Sequence, residues 1–251
     1  MTNEENVPTP EPMPMETESQ PLGFGAKLWN VYADPRKTFS SVRNNHEWVI
    51  LWLLVAAISI GAFMPIRGVV KKAQMQQVEE RLDQNPNIPA EQRQAILDRV
   101  AEQFENPLYM LFVPAAQLVA LIVVSGILLF IGNIILGGTG GYLRMLNAYA
   151  WSGMIVILGS LVTVPLIAAK GSMDVSIGLG VLAGPDTGPF LKKILSSFEL
   201  FGLWQVWLSS VAVSVIANVD AKKALWSVGV AWLIWVLVQG GLATLGISFG
   251  A

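Results

Sequence analysis

The chain has no cysteine and a single histidine, His46, in 251 residues. The first absence excludes disulfides, thiolate nucleophiles and cysteine-ligated metal or iron–sulfur centres. The second leaves no histidine pair for a zinc site of the HExxH kind. Charge is scarce as well. Asp, Glu, Lys and Arg make up 14% of the residues, against roughly 25% in an ordinary soluble domain. With a net charge of −2 and a pI of about 5.5 there is no basic field for nucleic acid, which is not an expected partner. No glycine-rich phosphate loop with a following lysine occurs.

What the chain has in excess is apolar sequence: 53% of residues, with a mean hydropathy of +0.53. The few charges are segregated, so that residues 48–66, 107–143, 145–169, 200–219 and 224–251 carry none. A helix needs about 20 mostly apolar residues to cross a hydrocarbon core of about 30 Å. Each run is near that length or longer. Buried helices of soluble proteins can be apolar all round, but five such runs in one small chain define another class. The expected fold is an all-α polytopic membrane protein with about five transmembrane helices, near 48–66, 109–136, 146–169, 198–217 and 226–249. The lipid bilayer is its first partner.

Between the spans, composition assigns further roles. Residues 1–22 hold five Glu, five Pro and no Lys or Arg, the pattern of a disordered acidic tail and not of a secretory signal peptide. On that reading the first span stays in the mature protein as an anchor. Residues 23–47 combine Trp29 and Tyr32 with Arg36, Lys37 and Arg43, and read as an interfacial helix at the membrane surface. Within them, Asp34 followed by Pro35 is a helix start. Residues 48–251 form the membrane domain, with an extramembrane insert at 67–106 that carries six basic and seven acidic residues. In this insert Met75, Val78 and Leu82, and again Ile96, Val100 and Phe104, recur at helical spacing around Asn85-Pro86-Asn87, which predicts a helical hairpin. The run Gly137-Gly138-Thr139-Gly140-Gly141 reads as a flexible turn, and the apolar, glycine-rich 171–190 as a shallow or re-entrant dip. Basic residues divide seven to nine across the two sides, so the positive-inside rule sets no orientation.

No catalytic, cofactor-binding or metal-ligating residue is expected within the spans, and the chain does not read as an enzyme. Candidate functional positions are instead polar or aromatic: Glu199 at the mouth of span four, Trp204 and Gln205 just inside it, and Gln117 and Asn133 in span two. An acid inside a span is costly and is kept for function, whereas at a helix N-terminus it favours the macrodipole. Gln117, Asn133, Gln205, Asn218 and Gln239 suit either a polar cavity or hydrogen bonds between helices. Trp204 with Trp207, and Trp232 with Trp235, share a spacing that predicts packing of span four on span five.

The segment SSFELFGLWQVWLSSVAVSVIANVDAKKALWSVGVAWLIW, residues 196–235, resembles the Yip1 family in its bacterial form. The likeness lies in the acidic-aromatic start (Glu199, Phe201), Trp204 in a polar-seamed helix, and the turn with Lys222, Lys223, Ala224 and Leu225. DPRKTFSSV, residues 34–42, is similar to the family's entry segment before the first span. The resemblance implies a five-helix membrane domain with a cytoplasmic N-terminus, in a bacterial cytoplasmic (inner) membrane. Eukaryotic relatives bind prenylated small GTPases and one another. Their Asp-Leu-Tyr-Gly-Pro motif is missing here, with Asp34-Pro35 its nearest echo, so the fold is carried over and the partner is not. The expected role is a non-enzymatic scaffold or adaptor that contacts other membrane proteins or itself. The alternative is a small permease or a membrane subunit of a transporter.

Overall fold

A computed structural model describes residues 22–42, 45–83, 87–173, 175, 177–184 and 186–245. Almost all of the acidic tail, and part of the Asn85-Pro86-Asn87 turn, lie outside the described residues. Among those described, ten α-helices form the molecule. Two short ones, α1 (Phe24–Ala33) and α2 (Pro35–Ser40), precede the long α3 (Glu47–Asp83) and its return helix α4 (Ala90–Glu105). Then come α5 (Phe112–Phe130), α6 (Tyr142–Ser152), α7 (Ile155–Lys170), α8 (Pro189–Ser197), α9 (Leu200–Ile216) and α10 (Ala221–Thr244). Four stretches are long and apolar enough to cross a membrane: Glu47–Asp83, Leu108–Ile135, Tyr142–Lys170 and Ala221–Thr244. The fifth, α9, is apolar but shorter, and the fold is an all-α membrane type.

Local sequence explains several boundaries. Pro35 opens α2, and Asp34 accepts from the Lys37 amide. The α9–α10 turn is written in its local sequence. Asn218 takes a left-handed conformation, the Val219 amide donates back to Ser214 O, and Asp220 caps α10 through the Lys223 amide at 3.0 Å. Gly171, also left-handed, ends α7.

The boundary between the first span and the insert is not a helix boundary. α3 runs unbroken for 37 residues, about 55 Å at 1.5 Å per residue, through Pro65. Pro65 is exposed, and membrane helices tolerate proline where neighbouring groups satisfy the freed carbonyl. Since a hydrocarbon core takes about 30 Å, roughly 25 Å of α3 projects as one stiff piece with the span. There α4 folds back on it. Leu82 and Phe104 are buried at the seam, and Met75, Val78, Ile96 and Val100 are half-buried beside them. Arg93 closes the tip onto Asp83 at 2.9 Å, and Lys71 meets Glu105 at the base at 3.4 Å.

The core centres on α6, where seven of eleven residues are buried, and on α9. Between them sit α1 and α2: Val31 and Phe39 are fully buried and pack with Trp151, Met154 and Leu208. The expected interfacial segment thus turns Tyr32 and Phe39 into the helices and leaves Trp29 outside. Serine makes the close approach on α9. Ser209 and Ser210 return their hydroxyls to the carbonyls of Gln205 and Val206, so no polar atom is stranded.

Packing adds detail to three other readings. Trp207 and Trp235 point outward and Trp204 meets Tyr32, so of the four tryptophans it is Trp232 that joins the expected fourth and fifth spans, through Phe198. The shared spacing fixes a common face of a helix but not its neighbour. In the 171–190 connection, Gly178 forms an isolated antiparallel bridge with Glu199, and α8 lies on α10 with Phe190 and Ile194 over Gly240. Finally, the glycine run is not a free turn. The Thr139 amide donates to Ala217 O at 3.1 Å, and a Cβ on Gly138 would lie 2.3 Å from that carbonyl oxygen. Glycine is needed here for close approach.

Gly138→Ala should therefore cost about 1–3 kcal/mol, as overpacking does. Gly141→Ala, where an added Cβ meets nothing within 4 Å, should stay within about 0.5 kcal/mol of the parent. Thermal unfolding of the purified variants in detergent distinguishes the two. Equal midpoints would show that the loop does not pack on α9.

Candidate functional site

The densest polar cluster lies where α1, α3 and α6 meet, at positions the sequence reading did not select. Lys27 on α1 is only 4% exposed, and its ammonium donates to both carboxylate oxygens of Glu47 at 2.7 and 2.9 Å. Glu47 opens α3, where a negative charge also favours the helix dipole. Its carboxylate accepts two further bonds, from Asn45 Nδ2 at 2.8 Å and from the Trp151 indole at 3.1 Å. One turn before Trp151 on α6, the fully buried Asn147 works in both directions. Its Nδ2 donates to Asn45 O at 2.8 Å, and its Oδ1 accepts from the Trp48 amide at 2.7 Å. That amide is one of the first-turn groups of α3 with no partner inside the helix. On α2, Thr38 donates to Lys27 O at 3.2 Å.

A second contact extends the cluster towards α9. Gly153 and Met154 interrupt the crossing that α6 and α7 share, and the hydroxyl of Tyr32 donates to Met154 O at 2.9 Å. Burial raises the Tyr32 hydroxyl above its ordinary pKa, so the donor stays protonated at neutral pH. The Tyr32 ring meets Trp204 edge-on at 6.5 Å, and Phe24 lies against Trp151 at 5.1 Å. Lys27, Glu47, Asn147 and Tyr32 clasp the N-terminal helices to three membrane helices.

The positions selected from sequence take separate tasks. Gln117 donates to Ser59 Oγ at 3.1 Å and joins α5 to α3, while its carbonyl oxygen is buried without a partner. Asn133 straps the glycine loop by two bonds to Gly140, at 2.8 and 2.7 Å. Trp204 packs on Tyr32, and Gln205 supplies its backbone carbonyl to Ser209. Glu199 sits at the break before α9, where its side chain caps no amide of that helix and lies beside Gly202. The structure does not gather these five around a common centre. Asn147 was the residue to notice: an asparagine within a charge-free run has to find partners, as this one does.

These helices and their lipid-facing apolar surfaces define an integral membrane protein. Val119, Ile122, Val123 and Ile127 on α5, and Trp226, Val230, Leu233 and Ile234 on α10, are all exposed. A soluble protein would not leave so much apolar surface open. A family model, the Yip1 domain, matches residues 29–243, and the chain belongs to that family. Compared with curated proteins and with solved structures, it has no significant match.

Lys27 is buried, while the Glu47 carboxylate keeps part of its surface exposed and has two other donors. Lys27→Met should lower stability by about 1–2 kcal/mol, less than breaking a fully buried pair costs, and Lys27→Met combined with Glu47→Leu should be less damaging than the single change. Unfolding by denaturing detergent, titrated into micelles, measures both. A double variant worse than the lysine variant would show that the ion pair is not what couples the two positions.

Proposed function

We propose that this Yip1-family membrane protein is a non-enzymatic scaffold or adaptor, with the α3–α4 hairpin as its contact arm. The observation behind this reading is the unbroken α3. A span that continues as one stiff helix holds the arm at a fixed angle to the membrane and to the helices around α6. The outer faces of the arm carry both signs of charge, including Glu79, Glu80, Arg81, Glu91 and Glu102, all exposed. Mixed exposed charge suits a reversible polar contact with another protein better than insertion into lipid. Two members of the seam behind the permease alternative have local partners: the Gln117 amide bonds Ser59, and Asn133 bonds Gly140. Both are contacts between neighbouring segments, which favours the scaffold.

We further propose that the N-terminus is cytoplasmic and that the membrane is a bacterial inner membrane, following the family resemblance. The arm then stands on the opposite side. Because the chain has no cysteine, single labels report this without background. Gln76→Cys on the arm should react with a membrane-impermeant maleimide in intact cells, and Lys222→Cys in the α9–α10 turn should react only after permeabilisation. The reverse pattern would overturn the orientation.

The adaptor role is tested by a photo-crosslinking amino acid placed at Glu80 or Arg99 on the arm, and at Trp226 on the lipid-facing surface as control. Reproducible protein adducts of defined mass from the arm, absent from the control, are expected. No adduct from either arm position would count decisively against the adaptor reading.

A further inference from the structure

A half-open cavity of about 220 Å³ lies between α3, the start of α5 and α7. Ile60, Phe63 and Ile66 form one wall, Tyr109 and Val113 the second, and Val164 the third. Ser59 and Ser160 also line it. Next to Ser59 stands Gln117, whose buried carbonyl oxygen lacks a donor. Mostly apolar concavities with a few fixed polar groups are the usual form of ligand sites. The α3 and α7 walls belong to charge-free runs, which in a bilayer lie at the depth of the hydrocarbon core.

Charge is placed at one end only. Arg67 follows Ile66 directly, and Lys170 ends α7 six residues past Val164. Arg67 is half-buried, and among the described residues it forms no ion pair. Its guanidinium can take a phosphate in the bidentate manner that lysine cannot. An apolar slot inside the span with an unpaired arginine at its membrane-surface end has the chemistry of a lipid site. We infer that this cavity holds one acyl chain of an anionic phospholipid whose phosphate is bound by Arg67.

The site is joined to the arm. Tyr109 lines the cavity, and its ring lies 4.8 Å from that of Phe104, the most buried residue of the arm seam. Ile66 lines it from α3 itself, next to Pro65. Occupancy therefore acts on both helices at the root of the arm. This assignment is independent of the adaptor reading, since lipid is retained whether or not the arm has a protein partner.

The test uses the full chain in phosphatidylcholine vesicles containing phosphatidylglycerol, with a photoactivatable group in the acyl chain of one lipid or the other. Adducts mapped by mass spectrometry should fall on Phe63, Met110 and Val113, with phosphatidylglycerol exceeding phosphatidylcholine by about fivefold, which corresponds to about 1 kcal/mol from one cationic contact. Arg67→Gln should bring that ratio close to one, and Ala62→Phe, which fills the cavity, should abolish the adducts from both lipids. Should Ala62→Phe fail to fold, the Arg67→Gln ratio decides alone. Labelling no stronger than at Leu233 on the outer face of α10, which is ordinary annular lipid, would overturn the proposal. So would equal labelling by the two lipids in the unaltered protein.

Discussion

The ion pair between Lys27 and Glu47 sets the conditions for the rest of the molecule. The two opposite charges lie 2.7 Å apart, and since the Lys27 side chain is buried, separating them would leave its ammonium uncompensated. Glu47 starts the first span, so the pair fixes α1 to the head of α3. The carboxylate then recruits Asn45 and the Trp151 indole, and Asn147 ties α6 to the first turn of α3. Once α1 is placed, Tyr32 reaches Met154 at the interruption between α6 and α7, and Phe39 enters the α6–α9 core. Two short helices that precede the membrane domain thus become part of its interior.

What packs around this clasp is constrained in a different way. α9 approaches its neighbours through Ala212 and through Ser209, Ser210 and Ser214, whose hydroxyls bond backbone carbonyls. Such surfaces permit the close contact that holds helices together where no hydrophobic driving force acts between them. The far side of α3 has the opposite arrangement. There the packing opens into the cavity under Tyr109, and the helix leaves the bundle to carry α4. The same unbroken helix thus has a tightly satisfied head and a loosely filled root.

Much of this was legible from sequence, because the signals were local. Charge-free runs gave the spans, and the stripes Met75-Val78-Leu82 and Ile96-Val100-Phe104 gave the hairpin faces. Asp34-Pro35 marked the start of α2. Signals that depend on distant residues were not legible. Lys27 and Glu47 lie 20 positions apart, and Asn147 and Asn45 are separated by 102. No periodicity links them, and the cost of burying a charge does not name its partner. The glycine run was ambiguous for another reason. Glycine serves conformational freedom and close approach alike, and only the carbonyl of Ala217 against Gly138 separates the two. Pro65 likewise marks a possible helix end, yet an exposed proline within a membrane helix is accommodated. Trp204 was selected for its place on α9, but its partner is Tyr32, a residue read from sequence as belonging to the membrane surface.

Hydrogen–deuterium exchange across residues 31–41 in lipid nanodiscs tests the clasp most directly. If the N-terminal helices are integral to the core, these amides exchange as slowly as those of α6, and Glu47→Ala accelerates them while leaving α10 unchanged. Rapid exchange of residues 31–41 in the unaltered protein, typical of a helix resting on the membrane surface, would contradict the account.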